Sequence, residues 1–188
     1  TVVDYRKHRK NFILQHESEH LLLNFVSSHD ENAWEGTVDE LYGEAAHAIM
    51  ALNYISPGLP FLYSGVEYDL NKRLLFFEKD SFPKVKGETY NLLKKLGELK
   101  NTRPALHSGR EAGKYTSIKT SLLDKVLAFE RSKEGDTIVF IGNMSGEHIG
   151  FRSPYNGILK RYEDEKFKRL SYSYEYRMKP WEFWILKN

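Results

Sequence analysis

The run Leu22-Leu23-Asn24-Phe25-Val26-Ser27-Ser28-His29-Asp30 changes character midway, and that change constrains the fold of everything around it. It is apolar and β-prone from Leu21 to Val26, then polar from Ser27 onward, the pattern of a buried parallel strand that delivers polar side chains to one end of a sheet. In open α/β sheets and in (β/α)8 barrels, sites form beyond the carboxyl ends of strands, so His29 and Asp30 are the first candidates for function. The competing reading is local: Asp30 caps a turn and His29 makes a satisfied hydrogen bond.

Thr37-Val38-Asp39-Glu40 has the form of a capping box, with Glu40 placed to reach back to the Thr37 amide, and predicts one helix running to about Tyr54. Leu41, Tyr42, Ala45, Ala48, Ile49 and Leu52 recur at three- and four-residue intervals and define its apolar face, and His47 in its middle is expected to be structural. Ser56-Pro57-Gly58 ends it. Pro60 to Tyr63 is expected to form a second short buried strand, with Gly65 turning the backbone sharply at its end and Tyr63 and Glu67 supporting the site from behind. A loop from Tyr68 to Gly87 carries Phe76-Phe77-Glu78-Lys79-Asp80, whose rings are expected to pack inward while the charges face water. Glu88 to Lys100 reads as a helix with Leu92, Leu93, Leu96 and Leu99 inside, stopped by Arg103-Pro104.

These spaced segments resemble the last quarter of the catalytic barrel of the α-amylase family, glycoside hydrolase family 13. There a Phe-x-x-Asn-His-Asp segment closes the seventh barrel strand and a Pro-Gly-x-Pro-x-x-Tyr-x-Gly-x-Glu segment forms the eighth. Here Phe25 to Asp30 and Pro57 to Glu67 stand in those places, with Ser28 where the family usually has Asn. The resemblance implies α/β plus all-β architecture: residues 1–103 as the C-terminal part of a (β/α)8 barrel, its last two strands with their helices, and residues 104–188 as an all-β C-terminal sandwich. The opening stretch Val2 to Gln15, a basic amphipathic helix whose Arg6, Lys7, His8, Arg9 and Lys10 read as a solvated face, would be the sixth barrel helix. His16 and His20 lack partners at a metal-ligating spacing and read as surface residues.

Retaining glycosidases need a carboxylate nucleophile and a carboxylic acid about 5 Å apart. The resemblance implies that in this family both come from earlier strands, while the Asp of the His-Asp pair stabilises the oxocarbenium-like transition state. That role maps to Asp30, with His29, Asn32 and Trp34 as substrate-binding residues. Trp34 either stacks on a sugar ring or anchors its loop. The implied parent is a glycosidase acting on α-linked glucans such as starch and maltooligosaccharides, with the 188-residue piece inactive alone. The alternative is a barrel homologue without catalysis that binds carbohydrate or serves as a scaffold. No cofactor is expected in this piece, and calcium is implied only for the longer parent. An extracytoplasmic bacterial location, periplasmic or secreted, is the one favoured.

Composition narrows the partners. The 28 Lys plus Arg nearly balance 26 Asp plus Glu, so no basic field argues for nucleic acid, and the absence of cysteine excludes disulfides and thiolate chemistry. No apolar run approaches the ~20 residues of a membrane-spanning helix. The chain starts at Thr1 and, at 188 residues, is shorter than the ~250 of a whole barrel, which suggests a piece of a longer protein. Two barrel strands alone would leave an open edge and apolar surface, to be covered by the missing barrel half or by self-association.

Beyond Pro104 the period changes to that of strands. Tyr115 to Thr120, Lys125 to Arg131, Thr137 to Asn143, Glu147 to Phe151, Ser171 to Met178 and Glu182 to Leu186 are short β-like runs separated by Gly-containing turns, which argues an antiparallel sandwich. Tyr172, Tyr174 and Tyr176 alternate as a sugar platform would, but with Trp181, Phe183 and Trp184 they are expected to serve the core of a small domain.

Overall fold

The computed structural model describes residues 1–15, 21–153, 157–162, 164, 166–171 and 173–188, so the expectations for His16, His20 and Tyr172 fall outside the described residues. The chain forms two compact units, Leu22–Thr102 and Thr1–Leu21 together with Arg103–Asn188.

In Leu22–Thr102 two short strands, β1 (Leu23–Asn24) and β2 (Leu59–Pro60), pair in parallel, with Leu23 opposite Leu59 and Asn24 opposite Pro60. The Leu59 N–H donates to the Leu22 carbonyl and the Phe61 N–H to the Asn24 carbonyl, both at 2.8 Å. The second strand thus ends at Pro60 rather than running to Tyr63. Neither strand is buried as expected: Leu23 is 55% exposed, with Phe25, Leu59, Phe61 and Leu62 near 40%. Among the described residues this sheet has only these two strands, so the outward side chains have no neighbouring strand to cover them.

Between the strands the chain runs through α2 (Val38–Tyr42), a 3-10 turn, and α3 (Ala46–Ile55). The single helix expected from Thr37 to Tyr54 is therefore broken, at Gly43, whose φ of 47° and ψ of −127° lie outside helical space. Its start is as the residues dictate: the Glu40 N–H donates to the Thr37 hydroxyl, and the Glu40 carboxylate accepts the Thr37 N–H. Ala48, Ala51, Leu52 and Ile55 are buried on α3, whereas Leu41, on the far side of the break, is exposed. Helix α4 (Glu88–Thr102) buries Leu93, Leu96 and Leu99 and packs against α3. The Lys100 ammonium ties α4 to the Gly58 carbonyl at 2.9 Å.

The other unit is an antiparallel sandwich. Strands β3 (Lys114–Ser117), β4 (Val126–Lys133), β5 (Asp136–Asn143), β7 (Gly157–Arg161), β8 (Phe167–Leu170) and β10 (Phe183–Lys187) form a sheet in the order β3-β4-β5-β10-β7-β8. A second sheet pairs β6 (Ile149–Arg152) with β9 (Glu175–Met178). Ile149, Phe151 and Met178 from the small sheet pack on Val126, Val139 and Trp184 from the large one, and this shared layer is the core. The β4-β5 hairpin turns at Glu134-Gly135 with φ of 51° and 81°, the two positive values of a type I′ turn. Strands β7 and β8 were not among the expected runs: Gly157-Ile158-Leu159-Lys160-Arg161 and Phe167-Lys168-Arg169-Leu170 are short and half basic, and each has one fully inward apolar side chain among its described ones, Leu159 or Leu170. Trp184 is core as expected, but the last tyrosine strand begins at Glu175, leaving Tyr174 58% exposed outside it.

Helix α1 (Val2–Gln15) belongs to the same compact unit as the sandwich. Two of its basic side chains pack, while Lys7, His8 and Lys10 face solvent as expected. The Arg6 guanidinium donates to the Leu123 and Val126 carbonyls at 2.7 and 3.2 Å, and Arg9 lies 3.5 Å from the centre of the Tyr115 ring. Burial pushes the Tyr115 phenol well above its ordinary pKa.

Candidate functional site

The candidate site grows from the carboxyl end of β1. Backbone proximity there depends on Gly58, at φ +117°, because a Cβ on it would lie 2.6 Å from the Leu22 carbonyl oxygen. The Asn24 amide links β1 to the end of α3, donating to the Asn53 and Pro57 carbonyls at 3.3 and 3.1 Å. Val26 and Ser27 are buried, and the chain then emerges at Ser28.

The Ser28 hydroxyl donates to the Glu31 carboxylate, and the Asn32 N–H returns to the Ser28 carbonyl at 3.0 Å. Residues Glu31–Glu35 then form a single π-helical turn, closed by the Gly36 N–H on the Glu31 carbonyl at 2.8 Å. Such turns are uncommon and recur at functional sites. Asp30 stands at the head of this turn without capping it, so the local reading of Asp30 as a turn cap does not hold. His29 and Asp30 are both more than 60% exposed, and the His29 Nε2 lies 3.5 Å from the Asp30 Oδ2.

Asn32, expected to bind substrate, does something else. It is 5% exposed, its amide donates to the Lys72 carbonyl at 3.2 Å, and its side-chain oxygen accepts the Leu74 N–H at 2.7 Å. With both ends of the amide engaged, Asn32 is a positioning residue that holds the loop after β2 against the π-helical turn. Arg73 reinforces this clamp: its guanidinium donates to the Trp34 carbonyl, the Glu35 carbonyl and the Glu40 carboxylate at 3.3, 3.2 and 3.0 Å. The Thr37 N–H first, then Arg73, hold the Glu40 carboxyl below the ordinary glutamate range. Farther along, Asp80 accepts from the Lys72 ammonium at 2.5 Å and from the Leu75 N–H at 3.2 Å, and with the Ser81 N–H these bonds lower its pKa.

The clamped loop brings Phe76 and Phe77 to the candidate site. They do not pack inward as expected: Phe77 is 85% exposed and Phe76 37%. Phe76 stacks on His29 with ring centres 5.5 Å apart, and its ring lies 5.4 Å from Trp34 and 4.7 Å from Phe77. Trp34 is 61% exposed, so it does not anchor its loop by burial; its backbone carbonyl serves that purpose through Arg73. Reading the sequence missed Phe76, Phe77 and Arg73 as parts of this site. The available signal was the adjacent ring pair itself, set in a charged loop with no apolar periodicity to bury it.

Glu67, expected to support the site, accepts the N–H of Gly65 at 2.8 Å and so stabilises its own turn. Gly65 adopts φ +101°, as that turn requires. His47, expected to be structural, faces Thr89. Its Nε2 lies 2.7 Å from the Thr89 hydroxyl, which also bonds Asp69, and the three line a cavity of about 410 Å³ beside α2 and α3. Among the described residues no group of three or more His, Asp or Glu side chains is placed to hold a metal ion, and no helix is long and apolar enough to cross a membrane.

No protein-family model and no curated protein matches the chain. Solved structures do. The chain is similar to a noncanonic maltogenic alpha-amylase from Thermotoga neapolitana, with a TM-score of 0.83 at 16% identity, covering 100% of this chain and 46% of that one. An alpha-amylase from Lactobacillus plantarum matches with a TM-score of 0.77 at 14% identity, covering 100% and 43%. A gamma-CGTase from Alkalophilic bacillus clarkii matches with 0.72 at 19%, covering 100% and 29%. The chain thus spans less than half the length of each. These proteins are members of the α-amylase family, and over its whole length this chain has the fold of part of such an enzyme, consistent with the C-terminal part that its Phe25-to-Asp30 and Pro57-to-Glu67 segments resemble.

Proposed function

We propose that this chain is the C-terminal part of an α-amylase-type glycoside hydrolase acting on α-linked glucans by a retaining mechanism. Residues 1–103 would supply the last two strands of a (β/α)8 barrel with their helices, and residues 104–188 the β-sandwich that follows it. The observation that carries this reading is the parallel β1-β2 pair joined through helices, with His29 and Asp30 exposed just beyond the carboxyl end of β1. The exposed apolar side of that pair is the surface that further barrel strands would cover.

In this reading Asp30 is the transition-state stabiliser. Its carboxylate accepts hydrogen bonds from sugar hydroxyls that tighten as positive charge develops at the anomeric carbon, so its contribution is larger in the transition state than in the bound substrate. His29, 3.5 Å away, orients that carboxylate and donates to a neighbouring hydroxyl. The nucleophile and the acid/base would come from earlier strands of the longer protein, leaving the 188-residue chain inactive by itself. Any calcium the whole enzyme carries would be held mainly by those earlier segments.

Steady-state kinetics of the full-length gene product on a maltooligosaccharide test this. Asp30→Asn keeps the shape and removes the charge, and it should lower kcat by about 10² to 10⁴ with KM little changed. Asp39→Asn, an acid of similar exposure on the first turn of α2, should cost less than roughly tenfold. Equal losses, or none for Asp30→Asn, would remove the catalytic assignment.

A further inference from the structure

The four rings of His29, Trp34, Phe76 and Phe77 form one contiguous group that is exposed in this chain. Phe77 is among the most exposed large apolar side chains described, on a loop that Asn32, Arg73 and Asp80 pin at several points. A loop held that firmly keeps a phenyl ring in water at a standing cost in apolar exposure. Among the described residues its ring contact is Phe76, itself part of the exposed group.

The chemistry of the group selects an occupant. Phe76 and Phe77 meet nearly edge to face, at 75°, while Phe76 and Trp34 are inclined at 44°, giving a faceted apolar shelf rather than a flat stack. The Asp30 carboxylate and the His29 ring nitrogen lie along one margin of it, both exposed. A pyranose ring presents an apolar face of C–H groups and a rim of hydroxyls. An aromatic face beside an open carboxylate matches those two features together. A protein partner would favour the rings but would leave Asp30 desolvated without a fixed donor.

We infer that Phe77, with Phe76 and Trp34, is a stacking platform for a glucosyl unit of the bound α-glucan, adjacent to the unit whose hydroxyls Asp30 engages. This assignment rests on the glucan-binding reading above and adds specificity residues to it. Phe77 sets how strongly chains long enough to reach the shelf are bound and takes no part in proton or bond transfer. Phe76 is a positioning residue for it, wedged between His29 and Trp34.

Calorimetric titration of the full-length gene product with maltoheptaose, run in the Asp30→Asn background so that hydrolysis does not consume the ligand, tests the platform without needing turnover. Phe77→Ala should weaken binding about tenfold, equivalent to ~1.4 kcal/mol. Phe77→Tyr should restore it to within about twofold, because the ring face is kept. Since Phe77 is almost fully exposed, the alanine variant should keep the wild-type thermal midpoint. Kinetics should show the same change in KM with kcat held. Binding that Phe77→Ala leaves unaltered in that background would overturn the platform while the Asp30 assignment stands on its own kinetic test. Absence of maltoheptaose binding with Phe77 in place would overturn both, and would turn attention to a protein surface as the occupant of the shelf.

Discussion

The side-chain oxygen of Asn32 accepts the Leu74 N–H at 2.7 Å, across 42 residues of chain, and this contact fixes where the loop after β2 runs. Because Asn32 is buried and its amide also donates to the Lys72 carbonyl, one side chain replaces two backbone partners that the loop cannot find in itself.

Asn32→Leu should therefore leave the Leu74 N–H and the Lys72 carbonyl without their partner, at about 1–3 kcal/mol. The loss should be local. Limited proteolysis should cut faster between Leu74 and Lys79, with Phe77 glucan binding weakened in parallel, while the sandwich keeps its amide exchange protection. Unchanged cleavage would show that Arg73 and Asp80 hold the loop without Asn32.

Thr37→Ala should cost about 1 kcal/mol of stability, the usual loss of an N-cap acceptor, read as a shift in the urea midpoint.

Glu40 makes the same motif pH-dependent. The Thr37 N–H and Arg73 lower its folded pKa below the ordinary value of 4.5. A depressed carboxyl contributes stability that is present above the unfolded pKa and lost as pH falls through the folded one. The difference in thermal midpoint between wild type and Glu40→Gln should thus be full at neutral pH and shrink below pH 4.5. A gap that stays constant into acid would exclude an ionic role for Glu40.

Two glycine substitutions should have opposite signs. Gly58→Ala places a Cβ 2.6 Å from the Leu22 carbonyl at φ +117°, so β1 and β2 must separate, and a loss above about 2 kcal/mol is expected. Gly97→Ala on α4 meets nothing within 4 Å and should stabilise by about 0.5–1 kcal/mol. Chemical denaturation of both variants provides the comparison.

In the sandwich, Phe151→Ala empties a side chain that is 1% exposed between the two sheets, with an expected cost of about 3–5 kcal/mol. Ile158→Ala, at 62% exposed on β7, should stay within about 0.5 kcal/mol of wild type. Comparable losses would mean that β7 buries its other face.

What the residues determined by themselves is local. The Thr37-Glu40 capping box, the turns at Gly65 and Glu134-Gly135, and the change from apolar to polar at Ser27 each follow from backbone sterics or from groups three residues apart, so spacing suffices to read them. The shift from helical to strand periodicity after Pro104 was legible for the same reason, although β7 and β8, with one inward apolar residue each among those described, carried too little pattern. What only the tertiary structure decided is which polar and aromatic side chains face water. Asn32 and Trp34 sit two residues apart in one turn, yet one is buried in a clamp and the other is open, because the clamp's partners come from a loop about forty residues downstream. Arg6 and Arg9 left their solvated face for carbonyls and a ring more than a hundred residues away. Phe76 and Phe77 stand exposed on that same loop, which Asn32 and Arg73 hold from a distance in sequence. Such choices depend on contacts between distant segments, and a period of two or of three to four residues carries no record of them.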